Sequence, residues 1–223
     1  MNYFQLLDRL IKIYDKFEGQ AVDSSTIFKK IKQCIPFKEC RIISISTLGL
    51  FSNEFSVSGE YDPVLDELGK KSIIIELAFP KSKTEFQFDN SDLTRQHWFD
   101  FCEEIVSILG HEFIHMHQFR RRNFNWPMTY KSSSKSLVKK EVQEYYGDSD
   151  EIDAYAFMAA ASLISYDVMR NKTYSRHKLF KNRVYKTYTR VFDKKDPVVL
   201  KFEKLTLRYY KKLEQQYHAT THK

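Results

Sequence analysis

Residues 110–118 read Gly-His-Glu-Phe-Ile-His-Met-His-Gln, and His111, Glu112 and His115 within them form the pattern His-Glu-x-x-His. On a helix, side chains four positions apart leave the same face one turn apart, so His111 and His115 offer two imidazoles to one metal ion. Glu112 follows the first histidine, where a carboxylate that is not a ligand can hold a metal-bound water and take its proton. Zinc suits such a donor set, and it makes a hydrolytic nucleophile from water near neutral pH. The plain alternative is a cluster of polar side chains on a helix with no metal. Burying them needs partners in either case, and a metal ion is such a partner.

Two histidines leave a catalytic zinc site one protein ligand short. A third histidine within His-Glu-x-x-His-x-x-Gly-x-x-His is excluded, because Gln118 and Arg121 stand at the glycine and final histidine positions. An acidic candidate comes later, in Asp148-Ser-Asp-Glu-Ile-Asp-Ala-Tyr-Ala-Phe157, where Glu151 stands ahead of an apolar run. Asp150 and Asp153 are the fallback ligands. Glu151 also fits a capping box with Asp148 as N-cap, which is its plain structural explanation.

At these residues the chain resembles the short zincin metallopeptidases of bacteria and phages whose third ligand is a glutamate, such as the ImmA/IrrE-type peptidases. The resemblance spans roughly residues 72–165 and is carried by His111, Glu112, His115 and Glu151, with Ala154, Phe157 and Ala159 spaced as in the second helix of that group. It implies a cytoplasmic zinc endopeptidase with His111, His115 and Glu151 as ligands and Glu112 as general base, acting on a protein or peptide. It also implies that the strand over 72–79, preceding the metal helix, is the edge that pairs with an extended substrate. Asp153, Gln118 and Tyr155 are candidates for supporting the ligands or the transition state. Tyr145, Tyr146 and His177 are further candidates for an oxyanion donor. His117, two residues beyond His115, points off the ligand face and reads as a surface histidine.

The elements that must position these groups follow from periodicity. Residues from about Thr94 onward place Trp98, Phe101, Ile105, Ile108, Leu109, Glu112, His115 and Phe119 near one helical stripe, closed by Arg120-Arg121-Arg122. Residues 152–168 are apolar nearly all round, as in a helix buried in a core. Helices are expected at 3–17, from Ser24 or Ser25 towards Pro36, at 137–146, 175–192 and 197–217. Strands are expected at 41–47, 53–59 and 71–79, with loop or a short hairpin arm over 81–93 and an irregular, mobile segment over 123–136. The expected fold is α+β and zincin-like. About three mostly antiparallel strands pack on the metal helix and a buried second helix, flanked by N- and C-terminal helices, in one domain over 1–223.

Composition narrows the function classes. With 42% hydrophobic and 15% aromatic residues the 223-residue chain folds and is not disordered. Three cysteines, Cys34, Cys40 and Cys102, do not make a disulfide framework and fit a reducing compartment. No uninterrupted apolar stretch is long enough for a membrane span, and the N-terminal residues read as an amphipathic helix. The net charge of +7 is uneven: residues 170–223 hold 16 Lys+Arg against 4 Asp+Glu. That basic helical extension gives a second expectation, a non-catalytic or nucleic-acid-associated protein whose tail binds DNA, RNA or an acidic partner. Solvated lysine-rich helix faces explain the same charge without any partner.

Overall fold

The structure is a computed structural model that describes residues 2–47, 56–80, 85–126, 129–169 and 176–221. Among the described residues it is an α+β protein, 68% helical, with few strands. The chain divides into two compact units, residues 1–112 and 113–223.

In the first unit, α1 (Tyr3–Phe17) begins where the Asn2 side chain accepts from the Gln5 amide, and it buries Tyr3, Leu6, Leu7, Leu10, Ile13 and Tyr14. Three- and four-residue spacing puts these on one face. Gly19 follows with φ +77°, a left-handed turn that suits glycine, and donates its N–H to the Phe88 carbonyl. β1 (Ala21–Asp23) leads into α2 (Ser24–Cys34), where Asp23 Oδ1 accepts from Thr26 N at 2.9 Å as the N-cap. β2 (Cys40–Thr47), β3 (Ser56–Tyr61), the single-turn α3 (Pro63–Glu67), β4 (Ile73–Pro80) and β5 (Glu85–Gln87) come next. The long helix α4 (Asp92–Arg121) begins in this unit. Its Trp98 is buried, donates Nε1–H to the Leu10 carbonyl at 3.1 Å and meets the Phe88 ring edge-on at 5.3 Å.

The sheet is mixed, which corrects the expectation of mostly antiparallel strands. Its order is β2-β4-β3, with β2 parallel and β3 antiparallel to β4, and β1 pairs with β5 in a separate two-stranded ribbon. The placing of residues 72–79 at an edge is corrected too, because β4 is hydrogen-bonded on both sides. Its Ile73, Ile75 and Leu77 are wholly buried. Strand alternation in a sequence says which face is apolar and nothing about which strands become neighbours. The turn expected near Gly49 lies outside the described residues.

The second unit holds the C-terminal part of α4, then α5 (Leu137–Gly147), α6 (Ser149–Met169), α7 (Arg176–Lys181), α8 (Arg183–Val191) and α9 (Pro197–Thr221). α6 is the buried helix expected from its composition, with Ile152, Ala154, Ala156, Ala159, Ala160, Ala161 and Ile164 inaccessible. α9 packs along it and buries Val199, Phe202, Thr206, Tyr210 and Leu213. The helix expected over 175–192 is two, because Asn182 turns its side chain to cap α8, accepting from Val184 N at 2.9 Å and Tyr185 N at 3.3 Å. Buried Asp167 on α6 accepts from Lys178 Nζ of α7 at 2.5 Å and Tyr210 OH of α9 at 3.0 Å, tying three helices together. Among the described residues no helix is long and apolar enough to cross a membrane.

One carboxyl in the first unit makes stability depend on pH. Glu103 of α4 accepts from Ser107 Oγ at 2.6 Å and Tyr3 OH at 3.3 Å. Burial pushes its pKa up to about 7, with the carboxylates of Glu104 and Asp100 adding to the shift and the two hydroxyl donors opposing it. The folded state therefore holds a proton that the unfolded state releases near its ordinary value. The linked stability is fully present below that ordinary value and is lost as pH rises through about 7. We expect the parent to lose of the order of 2 kcal/mol of unfolding free energy between pH 5 and pH 8 from this group. Glu103→Gln should flatten that part of the curve in urea titrations run across the range.

Candidate metal centre

α4 carries the His-Glu-x-x-His residues as the sequence requires. His111 and Glu112 are 7% and 6% exposed, and His115 is one turn beyond His111 on the same helix. His117 is exposed and its ring stacks on Phe113 at 6.4 Å, which leaves it off the ligand face.

α6 brings a carboxylate to the histidine pair. His115 Nε2 and Glu151 Oε1 are 3.5 Å apart. Two ligands at about 2.0–2.1 Å from a tetrahedral zinc lie roughly 3.3 Å from each other, so this spacing already fits a shared ion. His111, His115 and Glu151 each bring a ligand atom within 4.8 Å of the others. The donor set, two imidazoles and one carboxylate, is one that zinc takes in catalytic sites.

α6 is aimed by its first turn. Asp148 Oδ1 accepts from Asp150 N at 2.8 Å and the Asp148 carbonyl from Ile152 N at 2.9 Å, so Asp148 caps the helix. The reciprocal half of a capping box is not made by Glu151: the Asp148 amide donates to the Tyr145 carbonyl. The Glu151 carboxylate faces His115 instead. The fallback ligands do other work. Asp150 forms a two-pronged ion pair with Arg122, at 3.0 and 2.5 Å, which pins the start of α6 to the end of α4. Asp153 does not reach a histidine. Gln118, 5% exposed, stands between, with His115 Nδ1 to Gln118 Oε1 at 3.1 Å and Gln118 Nε2 to Asp153 Oδ2 at 3.3 Å.

Tyrosines surround Glu151. The hydroxyls of Tyr145 and Tyr155 are 3.2 Å apart, and the Tyr146 ring packs on both, 5.1 Å from Tyr145 and 5.4 Å from Tyr155. Burial, reinforced by the Glu151 carboxylate, holds the Tyr145 phenol well above its ordinary range. Burial likewise pushes Tyr155 up to about 12. Both are therefore hydrogen-bond donors at neutral pH. Tyr145 reaches Glu151 from α5 although the residue is 48% exposed. Tyr188, fully buried on α8 and stacked on Phe202 at 4.3 Å, completes the aromatic wall and is the member that sequence reading missed. Its place in the α8 pattern signals burial and nothing more. The side chain of His177 lies outside the described residues.

Two glycines set close approaches here. At Gly59 of β3, a Cβ would press into the Ile108 side chain, with Ile75 Cδ1 at 3.1 Å and Glu112 Cγ at 3.3 Å. β3, which has no outer strand partner among the described residues, thus runs against α4 beside Glu112. At Gly147, between α5 and α6, a Cβ would meet the Tyr130 ring at 2.5, 2.6 and 2.9 Å. No protein family, curated protein or solved structure matches the chain. Gly59→Ala and Gly147→Ala should each lower unfolding free energy by about 1–3 kcal/mol through overpacking, read as a reduced urea midpoint at unchanged slope.

Proposed function

We propose that the chain is a zinc-dependent metallopeptidase with a zincin-like arrangement, in which His111, His115 and Glu151 hold the ion and Glu112 is the general base. The observation that carries this reading is the 3.5 Å approach of Glu151 Oε1 to His115 Nε2, one helical turn from His111. A carboxylate on α6, 36 positions away in sequence, is brought to the histidine pair at metal-ligand spacing.

Zinc bound there would lower the pKa of a water towards neutrality and polarise a carbonyl. Glu112, buried beside the first ligand, takes the proton from the attacking water and passes it to the leaving amine. Tyr145 and Tyr155, kept protonated beside Glu151, are the donors for a developing oxyanion. A peptide suits β3, whose outer edge has no strand partner among the described residues and which touches α4 at Glu112, because an extended backbone can add there as a further strand.

The basic C-terminal region supports a second reading, in which its helices bind nucleic acid or an acidic partner. Lys201, Lys204, Arg208 and Lys211 are exposed along α9, three or four positions apart. DNA affinity that falls steeply with salt and persists without zinc, together with no hydrolysis of any peptide, would favour it.

Purified protein should contain one zinc per chain by elemental analysis and cleave members of a mixed peptide library. Glu112→Gln should keep the zinc and lose about 10²- to 10⁴-fold in turnover. His115→Ala and Glu151→Ala should lose the metal itself. Full activity in Glu112→Gln would sink the mechanism, and a parent protein that takes up no zinc would sink the site.

A further inference from the structure

We propose that the C-terminal helix α9 belongs to the metal centre: Tyr209 and Arg208 hold Asp153 so that Gln118 sets the tautomer of His115. The proposal rests on the metallopeptidase reading above only in taking His115 Nε2 as the atom that faces the ion.

Hydrogen-bond direction carries the argument. Asp153 Oδ1 accepts from Tyr209 OH at 3.0 Å and from Arg208 at 3.3 Å, both on α9. Its other oxygen, Oδ2, lies 3.3 Å from Gln118 Nε2, and the Asp150 carbonyl lies 3.4 Å from the same nitrogen. A carboxylate and a backbone carbonyl only accept, so the Gln118 amide must turn its NH₂ towards them. That leaves its carbonyl oxygen towards His115 Nδ1 at 3.1 Å. A carbonyl also only accepts, so Nδ1 carries a proton, and Nε2 is the nitrogen that faces Glu151 and would take the ion.

Asp153 is placed by more than one contact. The Tyr209 ring meets Phe157 edge-on at 5.6 Å, and the Arg208 guanidinium lies 5.2 Å over the Tyr209 ring. Tyr209 is the stronger of the two anchors, since Arg208 is largely exposed and an ion pair in water contributes little. Without them the carboxylate is free to leave Gln118, and only the longer contact to the Asp150 carbonyl orients the amide. The amide can then flip, its NH₂ facing Nδ1, and the proton moves to Nε2, where it blocks a metal.

The test compares full-length parent, the double variant Tyr209→Phe with Arg208→Ala, the single variant Asp153→Ala, and Lys204→Ala as an exposed control on the same helix. Zinc affinity is measured by competition with a chelator, and the His115 tautomer by ¹⁵N NMR of the metal-free protein. Both site variants should bind zinc about tenfold more weakly and show a mixed His115 tautomer, while Lys204→Ala matches the parent. Melting of the metal-free proteins separates loss of fold from loss of orientation, and Asp153→Ala leaves the α9 side chains in place. Parent-like zinc affinity and a pure Nδ1–H tautomer in both site variants would overturn the proposal. If the parent binds no zinc, the metal reading falls, and the positioning claim is still decided by the tautomer in the metal-free chain.

Discussion

The approach of Glu151 to His115 governs much of the second unit. An imidazole and a carboxylate held 3.5 Å apart and mostly shielded from water are costly unless each has further partners. Gln118 and Asp153 continue from the imidazole, while Tyr145 and Tyr155 gather at the carboxylate. The pair also needs its helices placed accurately. α6 meets this with a buried surface rich in alanine, Ala154, Ala156 and Ala159 to Ala161, whose small side chains permit close packing. The Arg122–Asp150 ion pair then fixes its first turn to the end of α4.

Other parts of the chain answer to the same demand. Gly147 makes the corner between α5 and α6 tight enough for the Tyr130 ring to lie over it, and Glu151 follows four residues later. Tyr188 and Phe202 stack behind the tyrosines, so α8 and α9 back the same wall. In the first unit, the missing side chain at Gly59 lets β3 lie against α4 next to Glu112. The basic α9 is therefore no loose tail: one side of it is core, and Tyr209 with Arg208 anchors Asp153.

Much of this was legible in the residues alone. The one-turn relation of His111 and His115 and the outward position of His117 follow from helix geometry, which is local. The helices α1, α2, α4, α5, α6 and α9 were readable because apolar spacing, the cap at Asp148, and the nearly all-apolar run from Ile152 are written in consecutive residues. The break at Asn182 was not read, since an asparagine in a helical pattern is compatible with either a cap or a solvent-facing side chain. The β1–β5 ribbon was missed for another reason: three-residue strands carry too little alternation to register.

By itself, the sequence determined the donor types, their spacing along α4 and the candidates 150, 151 and 153, because these depend on covalent order and the helical repeat. Only the tertiary structure decided among the three acids: Glu151 to the histidine, Asp150 to Arg122, Asp153 to Gln118 and α9. It also decided that β4 lies between β2 and β3, and that β3, with no outer strand partner among the described residues, runs beside Glu112. Such choices depend on which distant surfaces pack together, and that is a property of the whole core rather than of any short stretch.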